Sequence, residues 1–163
     1  MFTLDPGDSK LEGRSDELPV RLPEVQAVEF ARLLSIFYPR DVVNGDLSTL
    51  EDWASVLRIT HLYDFEEHRK LAITHVEQLA GPIDRIILAR EYDIPAWLEP
   101  AYCALVIREE SLTLEEGTRL GMADVILIAR MRHTVRGGLF IPSQQVSYYV
   151  RDSLFSAQAR STT

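Results

Sequence analysis

The stretch THLYDFEEHRKLAITH, residues 60–75, sets three histidines seven residues apart, at His61, His68 and His75. Seven residues is close to two helical turns, so one continuous helix would bring the three imidazoles to one face. Such a face could bind a metal or move protons. The residues between them argue otherwise. Asp64 and Glu67 have the spacing of a capping box, in which one side chain accepts from a free backbone N–H and the acid three residues on reaches back. A new helix is therefore expected to begin at Asp64, after a tight joint at Tyr63 and Asp64, with His61 on the helix before it. His68 and His75 would then stand about 10 Å apart along an ideal helix, and zinc-binding helices space their ligands more closely. The reading that follows is packed or boundary histidines. The alternative is a small helical metal-dependent enzyme using His61, His68 and His75.

Other chemistry-bearing residues point the same way. Cys103 falls mid-helix among Ala, Leu and Val, whereas a nucleophilic thiolate needs a base or a helix N-terminus beside it. A buried structural cysteine is expected. The pairs Glu66/Glu67, Glu109/Glu110 and Glu115/Glu116 could suggest acid–base work. Neighbours on a helix point apart, however, and two of these pairs sit at helix starts, where negative charge complements the dipole. Arg130, Arg132 and Arg136 form a small basic cluster at a helix end, the candidate contact of a nucleic-acid-binding regulator. Trp53 and Trp97 fit core anchors better than a stacking site for a base or cofactor. The sequence holds no Walker loop, no GxSxG and no GxGxxG. No nucleophile, base and orienting group assemble, so the expectation is no catalytic residue, no metal, no cofactor and no enzyme.

Bulk properties bound the remaining classes. The chain has 163 residues, which fits one domain, and 46% of them are hydrophobic, enough for a core. The formal charge is -8, against the basic face that broad nucleic-acid binding requires. A single cysteine excludes an internal disulfide and favours a reducing compartment. No apolar run approaches the roughly 18 residues of a membrane span, and the start MFTLDPGDSK lacks a signal-peptide pattern. An intracellular protein, cytoplasmic or nuclear, without a membrane partner is the expectation.

The elements that would position these residues are helices. Residues 1–19 hold Gly, Pro, Ser and acids and are expected to be an acidic loop or disordered. Val20 and Leu22 share one side of a very short extended piece. A helix follows over 24–38 and stops at Pro39. Ser48 and Glu51 have capping-box spacing for the next, whose Leu50, Trp53, Val56, Leu57 and Thr60 fall on one face. From Asp64 to about Leu79, the residues Phe65, His68, Leu71, Ala72, His75, Val76 and Leu79 share a face. Pro82 suits a first turn, and Ile83, Ile86, Ile87 and Arg90 trace that helix to Tyr92. DIPAW breaks the chain and WLEPAYCALVI resumes it. Thr113 and Glu116 make another capping box, for a short helix ending at Gly121. Met122 to Arg136 is apolar on one side, and Gly137 and Gly138 make a good stop. Residues 139–163 read as a polar tail, mostly disordered or with one marginal helix through Val146, Val150 and Leu154. The fold class is thus mainly α, stacked helical hairpins with at most one or two very short strands. YDFEEHRKLA and YDIPAWLEPA echo each other, a Tyr-Asp-apolar joint opening a new helix each time.

Taken together, VRLPEVQAVEFARLLSIFYPRD and LEDWASVLRITHLYDFEEHRKLAITHVEQL resemble the second half of a BTB/POZ domain. There a short strand leads into a helix ending in an aromatic-Tyr pair, here Phe37 and Tyr38, and a helical hairpin closes the domain. The phrases PIDRI…LAREYDIPAWL, AYCAL and LTLEEG.RLG..D…IAR resemble the helical extension of fungal BTB proteins. The resemblance covers roughly residues 18 to 136 and implies a partial BTB-like region over 20–79, with the extension over 80–138. It also implies that the strands and helices of the BTB first half do not precede these residues, so the usual sheet and dimer interface are not expected. BTB adaptors for cullin ligases typically carry an apolar residue two places before a glutamate in the preceding loop. Glu12 and Glu17 instead follow Lys10 and Ser15, so this loop adds nothing to a cullin reading.

The expectation is a non-catalytic protein–protein interaction module, a BTB-like adaptor or self-association domain, tied to ubiquitin ligases or transcription by resemblance alone. Its contact surface would be apolar helical surface that the missing half leaves uncovered: Val20, Leu22, Leu33, Phe37, Trp53 and Leu57. The competing fate of those six residues is the core of the helices themselves.

Overall fold

The computed structural model describes residues 19–137 and 143–161. These form a mainly α structure, and no strand occurs among the described residues. The helices are α1 (Ala27–Phe37), α2 (Leu50–Leu62), α3 (Glu66–Leu79), α4 (Pro82–Glu91), α5 (Leu98–Ile107), α6 (Leu114–Leu120), α7 (Met122–Gly137) and α8 (Ser143–Ser161). A short 3-10 turn, Pro95–Trp97, joins α4 to α5. Val20 and Leu22 lie on irregular chain ahead of a turn at Pro23 and Glu24, not on a strand. The acidic loop expected over residues 1–19 falls, but for Pro19, outside the described residues.

Local chemistry explains most helix boundaries. Pro82 occupies the first turn of α4, where its missing N–H costs nothing. Thr113 and Glu116 make the expected capping box on α6, and Gly121 ends that helix at φ 89°, a backbone that glycine adopts without strain. Two expected caps shift. The box on α2 is made by Thr49 and Asp52, not by Ser48 and Glu51: Asp52 N–H donates to Thr49 Oγ1 at 3.2 Å and Thr49 N–H to Asp52 at 3.1 Å. Glu51 is instead bound to Arg32 at 2.9 Å. Asp64 caps nothing. It adopts φ 55°, while α3 begins at Glu66 and Glu67 pairs with Lys70 at 2.8 Å.

Asp64 has a different task, and Asp93 shares it. At the end of α2, Phe65 N–H donates to Thr60 O at 2.9 Å; at the end of α4, Ile94 N–H donates to Ala89 O at 2.8 Å. In both joints an aspartate with positive φ, 55° at Asp64 and 52° at Asp93, turns the chain back. This is the Schellman pattern with Asp where glycine usually sits. The echo of the two Tyr-Asp-apolar phrases is thus one backbone motif used twice.

Two apolar clusters hold the helices together. The first gathers Leu33 of α1, Trp53, Val56, Leu57 and Ile59 of α2, Ala72 and Val76 of α3, then Ala89, Tyr92, Ile94 and Trp97. The second gathers Ile83 and Ile86 of α4 with Tyr102, Leu105 and Val106 of α5, Ile128 and Met131 of α7, and Val146 and Val150 of α8. α4 contributes to both clusters, and Leu98 of α5 packs against both, so these two helices carry the packing that the two halves share. The buried face of α3 is narrower than its apolar spacing suggests, since Phe65, Leu71 and Leu79 are exposed. The marginal helix expected near the C-terminus is the 19-residue α8, which packs on α5 and α7 through Val146 and Val150.

Candidate functional site

α1 carries apolar residues around most of its circumference, and its salt links decide which of them face out. Arg32 donates to Ser55 Oγ at 2.7 Å and Glu51 at 2.9 Å, and pairs with Asp52 at 2.9 Å. Arg58 of α2 reaches back to Glu29 at 2.9 Å and to the Glu24 carbonyl at 2.7 Å. These two guanidinium bridges bind α1 to α2 with Leu33 between them, buried. Phe30, Leu34 and Phe37, at i, i+4 and i+7, are left on exposed surface, with Val28 and Tyr38 also exposed.

The stripe continues onto the start of α3. The Phe37 ring lies 4.7 Å from His68, His68 lies 6.4 Å from Phe65, and Phe65 lies 6.1 Å from Tyr63, centroid to centroid. Phe37 is 48% exposed and Tyr38 79%. Large apolar rings at that exposure in one contiguous run are the feature that marks interaction surfaces.

The six residues expected on this surface divide. Phe37 lies in the stripe, and Val20 and Leu22 are exposed on the chain before α1. Leu33, Trp53 and Leu57 are not surface residues: all three are buried in the first apolar cluster, because the α1–α2 and α2–α3 contacts close over them. Phe30, Leu34, Tyr38, Tyr63 and Phe65 belong to the exposed run and were missed. For Phe30 and Leu34 the signal was present as a stripe too wide to be buried on one side.

The histidines do not converge. His75 stacks on Trp53 at 3.8 Å with the rings 7° apart, His68 packs against Phe37, and His61 meets Tyr92 edge-on at 5.6 Å. Each imidazole thus serves a different aromatic partner. Among the described residues, no three His, Cys, Asp or Glu side chains are grouped as a metal requires. Cys103 is half-buried on α5, and burial pushes its thiol above the usual range, with Glu99 adding to the effect. That opposes a reactive thiolate.

Of the three arginines expected as a nucleic-acid contact, Arg130 is exposed and the other two bind carbonyls of the fold. Arg132 donates to Leu105 O at 2.7 Å and to Glu109 O at 3.0 Å; Arg136 donates to Ile107 O at 3.2 Å and also to Arg108 O. Both come from α7 and satisfy carbonyls at the C-terminal end of α5, rather than the end of their own helix. Arg85 does the same for α3, donating to Ala80 O at 3.1 Å, and Arg69 for α4, donating to Tyr92 O at 2.6 Å.

A buried polar group was not foreseen. Asp124, in the first turn of α7, is buried and accepts from Tyr102 Oη at 2.6 Å and from Arg90 Nη2 at 2.7 Å, with Arg90 Nη1 on its second oxygen. Arg90 also donates to Tyr102 Oη at 2.7 Å. The group ties α4, α5 and α7 together around a carboxylate that is 3% exposed, so it reads as a structural lock. Its three members come from the three phrases LAREYD, AYCAL and RLGMAD.

No protein-family model matches this chain, and neither a curated protein nor a solved structure does. The resemblance to BTB/POZ proteins rests on the sequence phrases alone.

Proposed function

We propose that the chain is a non-catalytic protein–protein interaction module of BTB-like origin, and that the exposed aromatic run of α1 is its contact surface. The single observation behind this reading is the stripe Phe30, Leu34, Phe37 and Tyr38, held outward by the Arg32 and Arg58 bridges and extended by Phe65 and Tyr63. A run of this kind has the composition of an interface core, aromatic and free of charge, with the charged residues placed at its edge. No helix of the described residues is long and apolar enough to cross a membrane. The partner proposed first is a second copy, since this requires nothing beyond the chain. A link to ubiquitin ligases or to transcription rests on the resemblance alone.

Light scattering over about a hundredfold range of protein concentration tests this, because association must follow mass action. The expected result is a mass that rises above the monomer and returns to it in Leu34→Glu, with the circular dichroism of the variant unchanged. A chain that stays monomeric throughout, and whose wild-type form binds an apolar dye no better than Leu34→Glu, would overturn the reading.

A further inference from the structure

A second surface feature lies away from α1, between α7 and the 111–113 segment that follows α5. It is an open cleft of about 440 Å³, within the range of small-molecule sites. Its floor is apolar, made by Leu112, Val125 and the fully buried Ile128. One end is cationic through Arg132 and Arg136, which line it with His133.

Helix geometry produces this division. Val125, Ile128 and Arg132 follow each other at i, i+3 and i+7 along α7, so one face of one helix runs from apolar to charged. The arginines are fixed before any ligand arrives. Arg132 is anchored to Leu105 O at 2.7 Å and to Glu109 O at 3.0 Å, and Arg136 to Ile107 O at 3.2 Å and Glu109 O at 3.4 Å. Carbonyls accept hydrogen bonds without cancelling charge, and a guanidinium has five N–H donors, so each arginine keeps its positive charge. Arg108, close by, is neutralised by Glu116 at 2.8 Å, which leaves the excess charge at Arg132 and Arg136. Burial and the neighbouring charges of Arg136 and Arg108 lower the Arg132 pKa, with Glu110 working in the opposite sense. An oxyanion placed there would relieve the crowding of like charge. On a chain with a formal charge of -8, a preorganised positive end on an apolar cleft is the exception.

We infer that this cleft binds a small amphiphilic carboxylate, a medium-chain or aryl acid, with its apolar body over Leu112, Val125 and Ile128 and its carboxylate at Arg132 and Arg136. Guanidinium groups recognise carboxylates through paired N–H donors, and the cleft has room for one such molecule.

The test is calorimetric titration of the full chain with sodium octanoate and, as the cationic match, octylamine, with amide shifts mapped by NMR. Octanoate is expected to saturate one site and octylamine to bind at least about tenfold more weakly, with octanoate shifts in residues 111–136. Ala129→Trp, which fills the cleft and leaves the arginines in place, is expected to lose octanoate binding by about tenfold or more. His133→Glu, which adds a negative charge at an exposed position beside Arg132, is expected to weaken octanoate without filling the cleft, which keeps the test valid if the tryptophan variant misfolds. Equal binding of octanoate and octylamine overturns the inference. So does octanoate binding unchanged in both variants. Octanoate shifts confined to α1 also overturn it, and would leave the proposed α1 surface intact.

Discussion

Asp124 is the residue whose surroundings are most exacting. Its carboxylate is 3% exposed, and the Tyr102 hydroxyl that donates to it is fully buried. Burial, with the Asp124 hydrogen bond adding to it, pushes the Tyr102 hydroxyl far above its ordinary range, so it remains a donor. Arg90 supplies the compensating charge from a half-exposed position. Asp124→Asn keeps the shape but removes the charge, leaving the guanidinium and the hydroxyl facing a weaker acceptor. Breaking such a pair costs about 3 kcal/mol, the lower end of the range for buried pairs because water reaches Arg90. Urea unfolding is expected to show this loss for Asp124→Asn and about 1 kcal/mol for Tyr102→Phe. A change below half of that in Asp124→Asn would mean the group is not a lock. The sequence did hold one clue. Arg90 stands at i+7 from Ile83, on the same stripe as Ile86 and Ile87, where a charge has no place unless it is paired inside. Its partners lie on other helices, 12 and 34 residues away, and no local period reveals them.

At the scale of elements, helix ends explain more than helix interiors. Both Tyr-Asp joints hold a non-glycine residue in the left-handed region, at a cost of about 1–2 kcal/mol, offset in part by the freedom that glycine has when unfolded. Asp93→Gly is therefore expected to raise the unfolding free energy by about 0.5–1 kcal/mol, and Asp64→Gly likewise, with helix content unchanged. Destabilisation by either variant in a denaturant melt would mean that the aspartate side chain, not the backbone turn, holds the joint. This joint was legible as a boundary and misread as a cap. Asp64 and Glu67 have the spacing of a capping box, but spacing does not reveal φ, and φ 55° turns the aspartate away from an N-cap role. The same limit shifted the α2 cap by one residue, since Ser48/Glu51 and Thr49/Asp52 both satisfy the pattern and spacing does not reveal that the helix starts at Leu50 with Thr49 as its N-cap. Helix existence was readable almost throughout, because periodic apolar residues, Pro82 and Gly121 are local signals. Which apolar residue of α1 is covered was not, because Leu33 and Leu34 differ only in the neighbour that α2 provides.

For the whole molecule, the decisive element is the one that composition describes worst. Residues 139–163 are rich in Ser, Gln and Thr and read as a tail, yet α8 places Val146 and Val150 in the second apolar cluster at 2% and 0% exposure. Val146 and Val150, one turn apart, are the buried centre of the contact, and Tyr149 and Leu154 pack beside them to dock the helix on α5 and α7. Docking then completes the layer around Tyr102, Leu105 and Ile128. Removing both valines withdraws about 3–5 kcal/mol of burial, a large share of what a domain of this size retains. A chain ending at Gly137 is expected to unfold at lower denaturant, with Leu105 and Val106 amides losing most of their exchange protection. The Val56 and Leu57 amides of α2 belong to the first cluster and are expected to lose less, since local opening follows the contacts removed. Equal loss at both places would mean that α4, which serves both clusters, couples them into one cooperative unit. Unchanged protection at Leu105 would mean that α8 rests on the surface without carrying the core.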